Sequence, residues 1–183
     1  MFGKTNVFLI GPMGSGKTAV GRQLGRMLGL VFRDSDADVV ARTGVDIGYI
    51  FEQEGEAGFR ARERESIERL SALDGVVLAT GGGAVIDPAN RRALAERGVV
   101  VYLQTSVEQQ LARTRHTRHR PLLSVADPAR VLETLMDRRA PLYAEIADLT
   151  VTTDGRRVGL VAEEIVRELH RAKREPAPYN PPP

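Results

Sequence analysis

Five short apolar runs punctuate the chain, at Val7–Ile10, Leu30–Arg33, Val76–Thr80, Val99–Leu103 and Leu149–Thr152. Each is too short for a helix, and the stretches between them carry apolar residues three and four positions apart, the spacing of one helical face. Val20, Leu24, Met27 and Leu28 form one such stripe; Phe59, Ile67 and Leu70 form another. Strands alternating with helices predict an α/β fold with a parallel sheet covered on both faces. Helix starts are marked chemically: Asp87 precedes Pro88, Asp127 precedes Pro128, and Ser106 with Gln109 three residues later reads as a capping box. Ligands of such sheets lie beyond the carboxyl ends of the strands. The segments that follow the first three runs, "GPMGSGKT", "DSD" and "TGGG", are therefore expected to line one crevice.

The first of these segments carries the sharpest chemistry. Gly11, Gly14 and Gly16 let a short connection adopt dihedrals closed to other residues, so that successive N–H groups converge on an anion. The helix that follows adds the positive end of its dipole. Gly11, Gly16, Lys17 and Thr18 complete the pattern G-x-x-x-x-G-K-[ST], in which the lysine meets the outer phosphates and the hydroxyl meets magnesium. Strand before and helix after are the context this loop requires, so the chain is expected to bind a nucleoside triphosphate.

Composition narrows the setting. A chain of 183 residues fits one domain and can bury a full sheet. Its 26 Lys and Arg against 24 Asp and Glu leave a net charge of +2, too small for a protein built to coat nucleic acid. There is no cysteine, which excludes disulfides and Cys-based zinc sites and accords with a cytoplasmic location. No apolar run approaches membrane-spanning length. Five of the last eight residues are proline, so the segment 173–183 is expected to be an extended or disordered tail on a single domain of residues 1–172.

Other polar clusters admit more than one reading. Asp34 and Asp36, read as an extended segment, are expected to serve two partners: one holds magnesium through water, the other takes a proton or hydrogen bond from a hydroxyl. Either could instead cap the helix beginning in "DSDADVV". Glu63 falls on the Phe59–Ile67 stripe, where a carboxylate needs a partner, and Arg60 three residues away is the nearest; a charge-laced surface helix is the alternative. "TGGG" clears side chains from Gly81, Gly82 and Gly83 and so permits close backbone approach. "RTRHTRHRP" packs four arginines and two histidines into residues 113–120; with a phosphate loop in the same domain it reads as a lid, Arg120 for the γ-phosphate and Arg113 for the base. Without aromatic residues to stack on bases, a nucleic-acid patch is disfavoured. Arg139 in "RRAPLY" stands before a proline expected to end its helix, and with Arg60 it could clamp a carboxylate.

From about residue 6 to 172, "GPMGSGKT", "DSD", "GEAGFR" with Glu63, "TGGG", "RPLL" and "RxAPLY" resemble the shikimate kinases in order and approximate spacing. The resemblance implies a three-layer P-loop sandwich of the nucleoside-monophosphate-kinase kind, with a five-stranded parallel sheet and a mobile lid at about 113–125. It implies transfer of the γ-phosphate of ATP, with Mg2+, to the 3-hydroxyl of shikimate, a step toward chorismate and aromatic amino acids. Carried onto this sequence, Gly14, Ser15, Gly16, Lys17, Thr18 and Ala19 hold ATP with Arg113 and Arg120. Thr18 and Asp34 serve the metal. Asp36 binds the reacting hydroxyl. Arg60 and Arg139 clamp the carboxylate, Glu63 steadies Arg60, Gly81–Gly83 form a wall, and Phe51 and Phe59 the apolar side. Lys17, Asp36 and Arg120 are the catalytic set. A monomer acting on two small molecules, without nucleic acid or membrane, is expected. The rivals are a kinase for another hydroxylated acid such as gluconate, a nucleotide switch, for which no N-K-x-D motif is found, and a nucleic-acid binder using the basic lid.

Overall fold

The computed structural model describes residues 6–114 and 127–174. Five strands, β1 (Val7–Ile10), β2 (Val31–Asp34), β3 (Val76–Ala79), β4 (Val99–Gln104) and β5 (Leu149–Thr152), form one sheet in the order β2-β3-β1-β4-β5. All four pairings are parallel, with Val7 opposite both Val77 and Val99. The helices are α1 (Lys17–Leu28), α2 (Ser35–Thr43), α3 (Ile47–Ser71), α4 (Pro88–Arg97), α5 (Val107–Thr114), α6 (Pro128–Ile146) and α7 (Val158–Arg174), with a 3-10 turn at Ala84–Ile86.

Strand periodicity divides the core in two. Val7 and Leu9 of β1 pack with Val20 and Leu24 of α1 and Ile165 of α7 on one face of the sheet. Phe8 and Ile10 pack with Ile67 of α3, Leu94 of α4 and Tyr143 of α6 on the other. Central strands buried on both faces are what the continuous apolar runs require. A third, smaller cluster, Val39, Ile50 and Phe59, joins α2 to α3 and stands apart from the sheet.

The amino edge of the sheet is closed by one side chain. Asn6 is buried; its amide donates to Leu73 O at 2.6 Å and its carbonyl accepts from Val76 N at 3.0 Å. With that end tied, the opposite end is where loops diverge.

Several boundaries differ from the sequence reading, each for a physical reason. The second strand starts at Val31, because Leu30 N donates to Gly25 O at 2.9 Å and is spent closing α1 after Gly29. Met27 is 39% exposed and lies off the core face of α1. Helix α6 does not end before Pro141 but continues to Ile146. Leu142, Tyr143 and Ile146 pack on the core beyond the proline, and that burial outweighs the lost backbone bond. Helix α7 runs to Arg174 and so takes in the first two residues of the expected tail; 175–183 lie outside the described residues. Within α3, Gly55 breaks the helical path with φ 69° and ψ −175°.

Candidate active site

The loop between β1 and α1 has little room for side chains. A methyl on Gly11 would come within 2.5 Å of Leu103 O on the neighbouring strand, and Gly16 opens α1 with φ at +90°. Lys17 is buried; its Nζ donates to Gly11 O and Pro12 O at 2.7 Å and to Ser15 Oγ at 3.3 Å. The ammonium thus sits inside the curve of the loop, beside the first turn of the helix, where an anion gains from both charge and dipole.

Asp34 ends β2 and performs two tasks with two oxygens. Oδ1 accepts from Asp36 N at 3.1 Å and Ala37 N at 3.2 Å, capping α2, while Oδ2 accepts from the Thr18 hydroxyl at 2.9 Å. The capping and the metal readings of this residue are therefore compatible. Asp36 is not in an extended segment: it belongs to the first turn of α2, because the strand ends at Asp34 and the helix begins at Ser35. Thr18 and Asp34 offer hard oxygen donors next to the anion loop, a pair that fits Mg2+, which keeps several waters and takes only one or two protein oxygens.

The other end of the cleft is made of buried charge. Arg60 meets Glu63 at 2.7 Å and Glu56 at 3.0 Å. Glu63 is 1% exposed, and burial pushes its carboxyl above the ordinary range; the Arg60 charge pulls it down, and nearby Asp36 pushes it up again. Burial works against the Arg60 charge too, but the two carboxylates outweigh it and hold its pKa raised. Arg139, 6% exposed, has a buried Nε with no hydrogen-bond partner among the described residues. A buried guanidinium N–H left in that condition is costly, and a carboxylate would satisfy it.

The three glycines after β3 each make room for something different. A methyl on Gly83 would overlap the Arg60 guanidinium, and one on Gly81 would overlap Glu63 Oε1 and approach Asp36 Oδ1 to 2.8 Å. One on Gly82 would come within 3.2 Å of Met13 N in the phosphate loop. The wall is bare because the charged cluster and the phosphate loop both press against it. Phe51 and Phe59 lie with ring centroids 4.9 Å apart, and the Arg60 guanidinium stands 5.3 Å from the Phe59 ring.

One cavity of about 460 Å3 joins these parts, lined by Gly14, Gly16, Lys17, Thr18 and Ala19 at one end and by Arg60, Glu63 and Arg139 at the other. Asp34, Asp36, Phe51, Phe59 and Gly81–Gly83 complete the predicted residues that it brings together. Ser15 is buried in the loop beneath it. Arg113 is elsewhere, the penultimate residue of α5, donating to Gly14 O at 2.9 Å and to Thr153 O at 2.8 Å. It ties the phosphate loop to the loop after β5. Arg120 and the histidines of the basic run lie outside the described residues.

Residues that sequence reasoning passed over support this arrangement. Ser35, between the two aspartates, is fully buried and its Oγ accepts from Gly81 N at 3.0 Å. The Tyr143 hydroxyl donates to Gly82 O. Tyr143 lies one helical turn beyond Arg139, a spacing that could have flagged it. Met13, Ile47 and Thr80 also line the cavity. Asp154 accepts from Thr105 Oγ1 and from Ser106 N at 3.0 Å, taking the place expected for the Gln109 side chain in the capping box. Ser106 Oγ does accept from Gln109 N at 3.2 Å.

Comparisons with known proteins agree with the geometry. The family model described as shikimate kinase matches residues 13–170. A shikimate kinase of Halorhodospira halophila is 58% identical over 165 residues, covering 90% of this chain and 93% of that protein. The solved shikimate kinase of Acinetobacter baumannii in complex with shikimate superposes with a TM-score of 0.92 at 44% identity, covering 94% of this chain and 97% of the other. A gluconokinase from Sinorhizobium meliloti, at 19% identity and TM-score 0.61, shares the fold alone.

Proposed function

Since the chain belongs to the shikimate kinase family and transfers a phosphoryl group from ATP to shikimate, we propose that this cleft works as a two-ended device, phosphates at one end and acceptor at the other. The observation that carries this reading is the position of Arg60 and Arg139 on the same cavity as Lys17, with Arg60 braced by Glu63 and Arg139 keeping a buried, unpartnered Nε.

Phosphoryl transfer asks for positioning and charge stabilisation more than for covalent chemistry. Lys17 and the N–H groups of Gly14, Ser15, Gly16, Thr18 and Ala19 take the phosphates, and Arg113 borders the base. Arg60 and Arg139 take the shikimate carboxylate as a planar fork, Gly81–Gly83 let the ring approach the backbone, and Phe51 and Phe59 cover its apolar side. Asp36 accepts from the 3-hydroxyl and orients it, receiving its proton as the new bond forms. Thr18 and Asp34 would hold Mg2+, which neutralises phosphate charge when bound. In the single kinase domain the proposal gives Arg120, from the basic run, to the transferred group; of the lid expected at about 113–125, Arg113 and Thr114 belong to α5 and the rest lies outside the described residues. The proposal includes a cytoplasmic monomer acting on small molecules, in keeping with a net charge of +2.

The test is ADP release from ATP and magnesium with shikimate, with gluconate and without acceptor. Release with shikimate alone is the expected result. Equal release with gluconate, or without any acceptor, would overturn the assignment of the clamp.

A further inference from the structure

Tyr143 touches neither end of the cleft, yet it is joined to both. Its side chain is wholly buried, its ring stacks on Tyr102 with centroids 5.0 Å apart, and its hydroxyl donates to Gly82 O. The backbone around Gly82 shows why that bond matters. Gly81 O accepts from Ala84 N at 3.1 Å and Gly83 O from Ile86 N at 3.0 Å, both within the 3-10 turn, while Gly81 N donates to Ser35 Oγ. The middle carbonyl is held from outside the segment, by a side chain of α6.

Gly82 is also the point at which the wall meets the phosphate loop, since a methyl there would stand 3.2 Å from Met13 N and 3.6 Å from Gly11 O. On its other side the Arg60 guanidinium presses against Gly83. Arg139 precedes Tyr143 by one turn of the same helix, so both project from one face of α6. Burial raises the Tyr143 pKa, while the neighbouring Arg139 pulls it down, which places the clamp arginine close to the same hydroxyl.

We propose that Tyr143 is a positioning residue that sets the spacing between the phosphate loop and the acceptor pocket, by fixing the Gly82 carbonyl from the helix that carries Arg139. The inference rests on the shikimate kinase reading of the cleft and deepens it. Without the hydroxyl, the Gly82 carbonyl loses its partner and the wall can shift relative to both Met13 and Arg60. The acceptor then sits at the wrong distance from the phosphates, whereas the nucleotide, held by the loop itself, is unaffected. A small misplacement of reacting atoms is enough to slow an in-line transfer.

Tyr102 supplies the control. Its hydroxyl is buried with no hydrogen-bond partner among the described residues, so Tyr102→Phe removes a phenol oxygen from the same stacked pair without breaking a bond seen there. Steady-state kinetics of the full chain and of Tyr143→Phe and Tyr102→Phe, each checked by thermal melting, test the proposal. Tyr143→Phe keeps the ring and its packing. Its kcat/KM for shikimate is expected to fall about tenfold, the scale of one buried acceptor left unpaired, with KM for ATP held within about twofold. Tyr102→Phe is expected to match the unmodified chain in both. Unchanged kinetics in Tyr143→Phe, a rise in its KM for ATP beyond about twofold, or the same loss in Tyr102→Phe would overturn the inference while the activity itself stands. An unmodified chain that releases no ADP with shikimate would instead overturn the underlying reading and this inference with it.

Discussion

At the phosphate end of the cleft, Gly11, Gly14 and Gly16 bend one continuous stretch of backbone around a single lysine; at the acceptor end, Asp36, Arg60, Glu63 and Arg139 converge from three helices around three glycines. On the proposed reading, the first end binds through N–H groups whose direction is fixed by local dihedrals. The second depends on charges taken out of water, each of which must be matched by another. Backbone recognition suits a ligand part common to many enzymes, whereas a buried set of charges can be tuned to one carboxylate and one hydroxyl. It also leaves the acceptor end more exposed to damage by single substitutions, because every member sets the charge balance of the others.

The comparison can be broken first at Lys17. Lys17→Ala is expected to lower kcat by about a thousandfold, the scale of losing one preorganised charge donor, while the melting transition remains cooperative. Near-normal turnover would mean that the backbone alone suffices. Next comes Arg139→Ala, expected to cost about 2–4 kcal/mol of shikimate binding through its unmatched partners, with KM for ATP unchanged. Should both substrates weaken together, the two ends are not separable and the contrast fails.

The smallest effect concerns Glu63 and is read in stability against pH. Its carboxyl has a higher pKa in the folded chain than the ordinary glutamate value of 4.5, so between the two values the folded state binds the more protons. Stability from this group therefore falls as pH rises through that window. Glu63→Gln removes the slope, and the variant is expected to gain on the unmodified chain in urea unfolding as pH is raised from below 4.5 toward neutrality. A difference independent of pH would show that Arg60 cancels the burial of the carboxyl.

What was legible in the sequence follows the same division. Strands, the phosphate loop and the helix caps at Asp87 and Asp127 are written in adjacent residues, and the structure has them there, with strand ends displaced by at most one residue. The Arg60–Glu63 pair was legible because a helix brings positions three apart together. Asp36 was assigned to the right cavity but to the wrong local structure, since one residue decides where β2 stops and α2 starts. Pro141 misled because a local rule was overruled by the burial of Tyr143 beyond it. Ser35 and Tyr143 stayed unassigned because their partners, Gly81 and Gly82, lie 46 and 61 residues away. Nothing local in a serine or a tyrosine announces such a bond.

The strand order carries a consequence for how the chain comes to be folded at all. β1 lies in the middle of the sheet, between strands that begin at Val76 and Val99, and Gly11 is packed against Leu103 O. On the ribosome the phosphate loop is therefore made well before it can take shape, waiting until β4 has been synthesised. Until then the apolar run of β1 has no neighbours on either side, and it is this stretch that nascent-chain binders would be expected to shield.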